Sequence, residues 1–468
     1  MSDTWSATKG LTATLYRLNI IYVYSLTNMY KFIKDNKQFT DVAFLFIKSI
    51  FIFIVVYVCL RYLKINIYES IDYKKKLILF GQTCDLENNK VSIDYSIGFQ
   101  LAFNKINSNG GINGYKLKII LLNDKYEPTL SIKNAKLLID YYNVLSLIGT
   151  FGTPTTVSIL TDVIQDRHVS LIAPFSAGTS YRDPFNKNII IMNASFYAEF
   201  ILLCENLINN KYFNVSIIYQ NDIYGQYFYH AFVDYFTEKK YPFNIISTGT
   251  HERNSNDIDG CLKQLFNVAN QYDYSEYNNR NTIYNKIQAV IVFSSEKEID
   301  TILVQLKKIK PSIAIYYNFF VGINKANLQY LKLYNTDNIY QTLLSNKNLN
   351  NYPILNKELL HEVQRYNEVN DKKIDDINTS LMQGFYVGLM IGKVLENFKH
   401  NMHDLNRESF INMFYTLKDI HIYDFKIGPF IIGKNNVGII YSELNKLQKD
   451  LTFKTIKSHT LNFNEKYY

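Results

Sequence analysis

The chain has 468 residues, 47% of them hydrophobic, and a formal net charge of +8. That length and apolar content suffice for two domains with cores of their own. Residues 1–76 hold eleven Lys/Arg against five Asp/Glu, a net of +6, which leaves +2 for the rest and argues against a nucleic-acid-binding face on the folded part.

In chain order, a segment 1–41 precedes an apolar run, "DVAFLFIKSIFIFIVVYVCLRYLK". Val42–Leu60 is long enough to span a bilayer, interrupted at Lys48. It reads as a single signal-anchor helix, since it starts too late for a signal peptide and no small-x-small cleavage site follows. A basic linker, 61–76, comes next. Lys31, Lys34 and Lys37 flank one side of the span, and Arg61, Lys64 and Lys74–Lys76 the other, so the charges leave its orientation open.

From residue 77 strands and helices alternate. "KLILFGQ", "KLKIILL", "VLSLIG", "VSLIAP", "IIIMN", "VSIIYQ", "FNIIST", "IQAVIVF", "SIAIYYNFFVG" and "NIYQTLL" are strand-length apolar runs. Helical stretches such as "TLSIKNAKLLIDYY" and "GQYFYHAFVDYFTEKK" fall between most of them. Such runs predict parallel sheets covered on both faces, and ten strands predict two doubly wound lobes. Polar, aperiodic residues 267–286 read as a loop insertion.

Between "VSIDYSIGFQLAFNKIN", with Ile93, Ile97, Leu101 and Ala102 at helical spacing, and "KLKIILL" lie Gly110, Gly111 and Gly114. The order helix, glycines, strand is the reverse of a phosphate-binding loop, so the glycines predict a helix stop and a tight turn. In an open parallel sheet, ligands bind beyond the C-terminal ends of the strands. Four strand ends there carry small or hydroxylated residues: "TFGTPTTVS", "FSAGTS", "NDIYGQ" and "SSEKE". Each alone is ordinary helix capping; four in register predict a ligand cleft.

No nucleophile elbow, zinc-binding HExxH or Ser/His/Asp arrangement occurs, and the four cysteines show neither CxxC nor Cys/His metal spacing. No enzyme, metal site or cofactor is expected. His168 and His251 read as loop or surface histidines. The sequons at Asn193, Asn214 and Asn378 follow from the abundance of Asn.

The stretches "FGQTCDLENN", "GFQLAFNKINSNGGINGYKLKIILLND", "LIGTFGTPTTVSIL", "VSLIAPFSAGTSYRDP" and "IIYQNDIYGQ" resemble type I periplasmic binding proteins, the leucine-binding-like solute receptors. The resemblance covers roughly 77–445 and is densest to about 230. It implies two α/β lobes, 77–196 with 323–428 and 197–322 with 429–468, crossed three times near 196, 322 and 430, with a small ligand closed between them. Carried over residue by residue, it places the hydroxyl for a ligand carboxylate at Thr153, with Thr155 and Thr156 beside it. The second small loop falls on Ser176, Ala177 and Gly178, and the aromatic cover on Tyr224. Ser294 and Glu296 follow the next strand. Amino-acid binders have an acid where this chain has Asn324, so either Glu296 holds an ammonium or the ligand is not an α-amino acid.

Together with the apolar run Val42–Leu60, the resemblance therefore implies a membrane-anchored receptor for a small polar ligand of the amino acid, amide or small carboxylate class. The soluble part would be extracytoplasmic and would act with a transport or signalling partner, a dimer being open. The alternative is a binding fold that has lost its ligand and serves protein contact. On the first reading, Thr153, Ser176 and Gly178 are expected to face Tyr224 across a solvent-filled gap.

Overall fold

The computed structural model describes residues 71–460 except 73, 166, 256–257, 268–282, 295, 319–330, 332, 334–336 and 345–351. The expected span Val42–Leu60 and the carried-over Asn324 thus lie outside the described residues. Among the described residues, no helix is long and apolar enough to cross a membrane.

Lobe 1 starts with β1 (Ile71–Asp72), β2 (Leu77–Cys84), α1 (Lys90–Ser108), β3 (Lys116–Asn123), α2 (Pro128–Lys136), β4 (Ser146–Ile148), α3 (Thr153–Ile159), β5 (Ser170–Ile172) and β6 (Ile189–Ile190). Its sheet pairs β2 in parallel with both β3 and β4, then β4 with β5 and β5 with β6, while β1 joins β2 antiparallel. Every residue of β4, β5 and β6 is buried, which is why these strands read as unbroken apolar runs.

Lobe 2 follows with α4 (Phe196–Asn209), β7 (Asn214–Gln220), α5 (Ile223–Glu238), β8 (Asn244–His251), α6 (Asp259–Phe266), α7 (Ile283–Lys286), β9 (Ala289–Phe293), α8 (Glu296–Ile309), β10 (Ala314–Tyr317) and β11 (Ile339–Leu343). The chain then returns to lobe 1 with α9 (Pro353–Val369), α10 (Thr379–Glu396), α11 (Arg407–Leu417) and the hairpin β12 (Ile420–Ile422) and β13 (Phe425–Ile427). It ends as β14 (Tyr441–Leu447) and β15 (Phe453–Thr460), which extend the second sheet to seven strands in the order β15-β14-β11-β10-β9-β7-β8.

Two lobe boundaries differ from the sequence reading. β11 pairs in parallel with β10, Ile315 beside Ile339, so it belongs to lobe 2 and the second crossing comes after Leu343 rather than near 322. A five-residue, fully buried strand gains its ladder and both faces of cover only inside a sheet. The third crossing comes after Val437, which still pairs with Ile191 of lobe 1. The glycine stretch turns the chain as expected. Gly110, Gly111 and Gly114 have φ of 99°, 74° and 80°, and the Gly111 N–H closes the end of α1 on the Ile106 carbonyl at 2.9 Å.

The core of lobe 1 sits on both sides of its sheet. On one face Leu79, Leu147 and Leu171 pack with Leu138, Ile159 and Val163. On the other, α1 buries Tyr95, Phe99 and Ala102 against α10; Ile93 and Ile97, on the stripe expected from sequence, are only half-buried. The two helices meet at backbone distance through glycines, since a Cβ on Gly384 would lie 2.1 Å from the Tyr95 carbonyl oxygen.

Candidate functional site

The lobe 1 half of the site is built where β4 and β5 run out. Phe151 and Phe175 pair as one more parallel bridge and stack their rings at 5.4 Å. This holds the two following loops side by side. Gly152, at φ 87°, then turns the chain into α3 with Tyr126 packed so close that a Cβ at 152 would lie 2.1 Å from its ring. Pro154 in the first turn of α3 fixes the helical φ and lacks the N–H that would have no partner there.

Of the three threonines, only Thr153 turns toward the neighbouring loop, with its Oγ1 2.9 Å from Ser176 Oγ. Ser176 Oγ also accepts from the Gly178 N–H at 3.4 Å, and the Ala177 carbonyl accepts from the Phe196 N–H at 3.2 Å, at the start of α4. Thr155 instead donates to the carbonyls of Phe151 and Gly152, and Thr156 pairs with Thr150 at 3.1 Å. Their hydroxyls serve the helix start rather than the space between the lobes. Arg182, which no sequence pattern marks, fixes the second loop: its guanidinium donates to the carbonyls of Gly178 at 2.9 Å and Asn193 at 2.8 Å.

The lobe 2 half stands on α5. Asp222 caps this helix, its Oδ1 accepting from the N–H groups of Tyr224 at 2.9 Å and Gly225 at 3.3 Å. Position 225 requires glycine, because a Cβ would lie 2.0 Å from the Gln220 carbonyl oxygen. Tyr224, held in the first turn, packs edge-on against Phe228 and Phe196. Its hydroxyl donates to the Ser294 carbonyl at 3.4 Å and accepts from Asn318 Nδ2. Burial pushes its phenol well above the ordinary value, so it remains neutral.

His251 is not the surface residue expected. It is the last residue of β8, 4% exposed, with Nε2 2.8 Å from Ser294 Oγ and Nδ1 3.2 Å from the Glu252 carbonyl. Burial lowers its pKa, which favours the neutral ring. A proton on Nδ1 then meets the Glu252 carbonyl and leaves Nε2 to accept the Ser294 hydroxyl. His168 is exposed, in the turn before β5. Glu296 opens α8, directly beyond this cluster.

Across the lobe boundary α3 packs against α5. The Arg253 guanidinium of lobe 2 donates to Glu127 Oε2 of lobe 1 at 2.8 Å. The solvent-filled gap expected between Thr153 and Tyr224 is therefore not what surrounds them: they are 3% and 2% exposed, in lobes that touch. The arrangement offers buried hydroxyls and aromatic faces, and among the described residues no cluster of side chains that could hold a metal ion. Cys84, Cys204 and Cys261 are buried free thiols.

Comparison with known proteins agrees with this architecture. The model of the periplasmic binding protein family matches residues 89–269. An amino acid binding protein of Pseudomonas aeruginosa is 26% identical over 133 residues, 28% of this chain and about a third (35%) of that relative's length. Among solved structures, a possible leucine/isoleucine/valine-binding protein from Rhodopirellula baltica superposes with a TM-score of 0.67 at 18% identity, covering 85% of this chain and 99% of the other. A branched chain amino acid ABC transporter protein from Thermus thermophilus, with bound valine, gives 0.66 at 10% identity, covering 83% and 97%. These are binding and transport proteins, not enzymes. Residues 89–269 thus match the model of the periplasmic binding protein family, and the described chain has the fold of the type I periplasmic binding proteins.

Proposed function

We propose that this chain captures a small ligand with a polar head, of the amino acid, amide or small carboxylate class, between its two lobes. The observation that carries this is the meeting of Thr153 and Ser176 in lobe 1, at the start of α3, which packs on α5, the lobe 2 helix whose first turn carries Tyr224. Gly178, Ala177, Ser294 and Glu296 complete the proposed set, with Phe151 and Phe175 supplying apolar surface next to the hydroxyls. The relative from Thermus thermophilus holds valine, and this supports a ligand with an apolar side chain.

A second reading, a binding fold used only for protein contact, is favoured by one feature: the Thr153 and Ser176 hydroxyls satisfy each other in a nearly inaccessible place. A thermal-shift screen of the full chain in detergent, against amino acids, amides and small carboxylates, separates the two. A ligand at a hundred times its Kd should stabilise by about 2.7 kcal/mol. No shift with any of these classes supports the second reading.

The apolar run Val42–Leu60 supports anchoring in a membrane, and the likeness to periplasmic binding and transport proteins supports lobes on the extracytoplasmic side next to a transport or signalling partner. Carbonate extraction of membranes should leave the full-length chain in the pellet. Release into the supernatant would count against an integral span.

A further inference from the structure

We propose that Arg253 is the clasp of the cleft, a positioning residue whose contact with Glu127 is made when the lobes close and broken when they open. Its importance for a ligand rests on the reading of the cleft given above; the clasp itself can be tested without one.

Arg253 lies two residues past the end of β8, in lobe 2. One arm of its guanidinium stays at home, Nη1 lying 3.2 Å from Asp222 Oδ2. The other arm crosses the boundary, with Nη2 2.8 Å from Glu127 Oε2. Its neighbour Asn254 follows, with Nδ2 3.2 Å from Glu127 Oε1 and 3.5 Å from the Lys125 carbonyl. The guanidinium carbon is 5.7 Å from the centre of the Tyr126 ring, within cation–π range. A planar fork with donors on both arms can serve two carboxylates at once, which a lysine ammonium does less well.

Both ends of the clasp are rooted in the site. In lobe 1, Asp124 holds the presenting turn: its carboxylate accepts from the Tyr126 N–H at 2.9 Å, Thr83 Oγ1 at 3.0 Å and Ser131 Oγ at 2.9 Å. Lys125 and Tyr126 are both left-handed, at φ of 54° and 59°, and this aims Glu127 at the other lobe while Tyr126 covers Gly152. In lobe 2, the Asp222 carboxylate that takes one arm of Arg253 also caps the turn carrying Tyr224. Opening separates Glu127 from Arg253 and leaves Arg253 with Asp222. The side chains of Arg253, Asp222 and Glu127 are 21%, 13% and 41% exposed, so the crossing bond is only partly screened by water and remains sensitive to salt.

Hydrogen–deuterium exchange of the full chain in detergent tests this. Amides of Gly152, Thr153, Thr155 and Thr156 and of 224–228 report on the closed cleft, and those of β2 and β7 on the fold. In Arg253→Met and in Glu127→Gln, the cleft amides should exchange about three- to tenfold faster than in the parent. The core strands should keep their rates, and the double variant should be no faster than either single one. Salt at 1 M should accelerate the parent's cleft amides and leave those of Arg253→Met unchanged. Arg253→Lys, which keeps the charge, should fall between Met and the parent. Parent-like rates in both single variants would overturn the proposal. So would acceleration spread over β7–β9, which would make Arg253 a residue of the lobe 2 fold. If the clasp is found and the screen shows no ligand, this inference stands and the binding function falls.

Discussion

Gly384→Ala should destabilise the folded chain by about 3 kcal/mol or more, because the added methyl has nowhere to go. Its Cβ would lie 2.1 Å from the Tyr95 carbonyl oxygen and 3.0 Å from the Gly98 Cα, both backbone atoms of α1. The reciprocal position is as tight, a Cβ on Gly98 falling 2.2 Å from the Leu381 carbonyl oxygen. Two helices so close cannot yield by turning a side chain; they must separate, and the packing of Phe99 and Phe385 separates with them. The same face of α10 supplies a graded control. Gly392 looks onto the end of the Ile106 side chain, 2.5 Å from its Cδ1, which can swing aside. Gly392→Ala should therefore cost well under about 1 kcal/mol. Urea unfolding followed by circular dichroism measures both. Equal midpoints for the parent and Gly384→Ala would mean that the helices do not pack as described.

That helix face is legible in the sequence, where Gly384, Gly388 and Gly392 recur at the spacing of one helical stripe. So are the ten parallel strands β2–β11, because most of them are buried on both faces and have no polar face to interrupt the run, the half-exposed edge strands β3 and β8 apart. β15 escapes the same reading: "FKTIKSHT" is an edge strand, mostly exposed, and carries its lysines there. The lobe to which β11 belongs is also hidden, since strand pairing depends on partners far away in the chain. Thr155 and Thr156 show the limit of carrying positions over from a family. All three hydroxyls stand at one helix start, and only the folded structure decides which of them bonds its own backbone. His251 and Arg253 were unreadable for a further reason. Their partners, Ser294 and Glu127, lie 43 and 126 positions away, and no local pattern marks such pairs.

Tyr224→Ala should weaken a ligand found in the screen by about 2 kcal/mol or more, roughly thirtyfold in Kd, as expected for a central aromatic anchor. The substitution also opens a hole. The ring is buried between Phe196 and Phe228, and its hydroxyl accepts from Asn318, so fold stability should fall by about 3–5 kcal/mol as well. Two gentler variants separate these effects. Tyr224→Phe keeps the ring and removes only the hydroxyl, which is engaged with Ser294 and Asn318 of its own lobe. It should therefore bind within a few-fold of the parent, with its cost of about 1–3 kcal/mol appearing in unfolding. Thr153→Val keeps the shape and removes the hydroxyl paired with Ser176. Any ligand group taking the place of that pair loses a partner, so binding should weaken by about 1–3 kcal/mol. Isothermal titration at a temperature where every variant is folded reads the affinities, and unfolding curves read the stabilities. If Tyr224→Ala and Thr153→Val both bind as the parent does, the ligand lies elsewhere, and the meeting of hydroxyls and aromatic rings at the lobe boundary serves only to hold the lobes together.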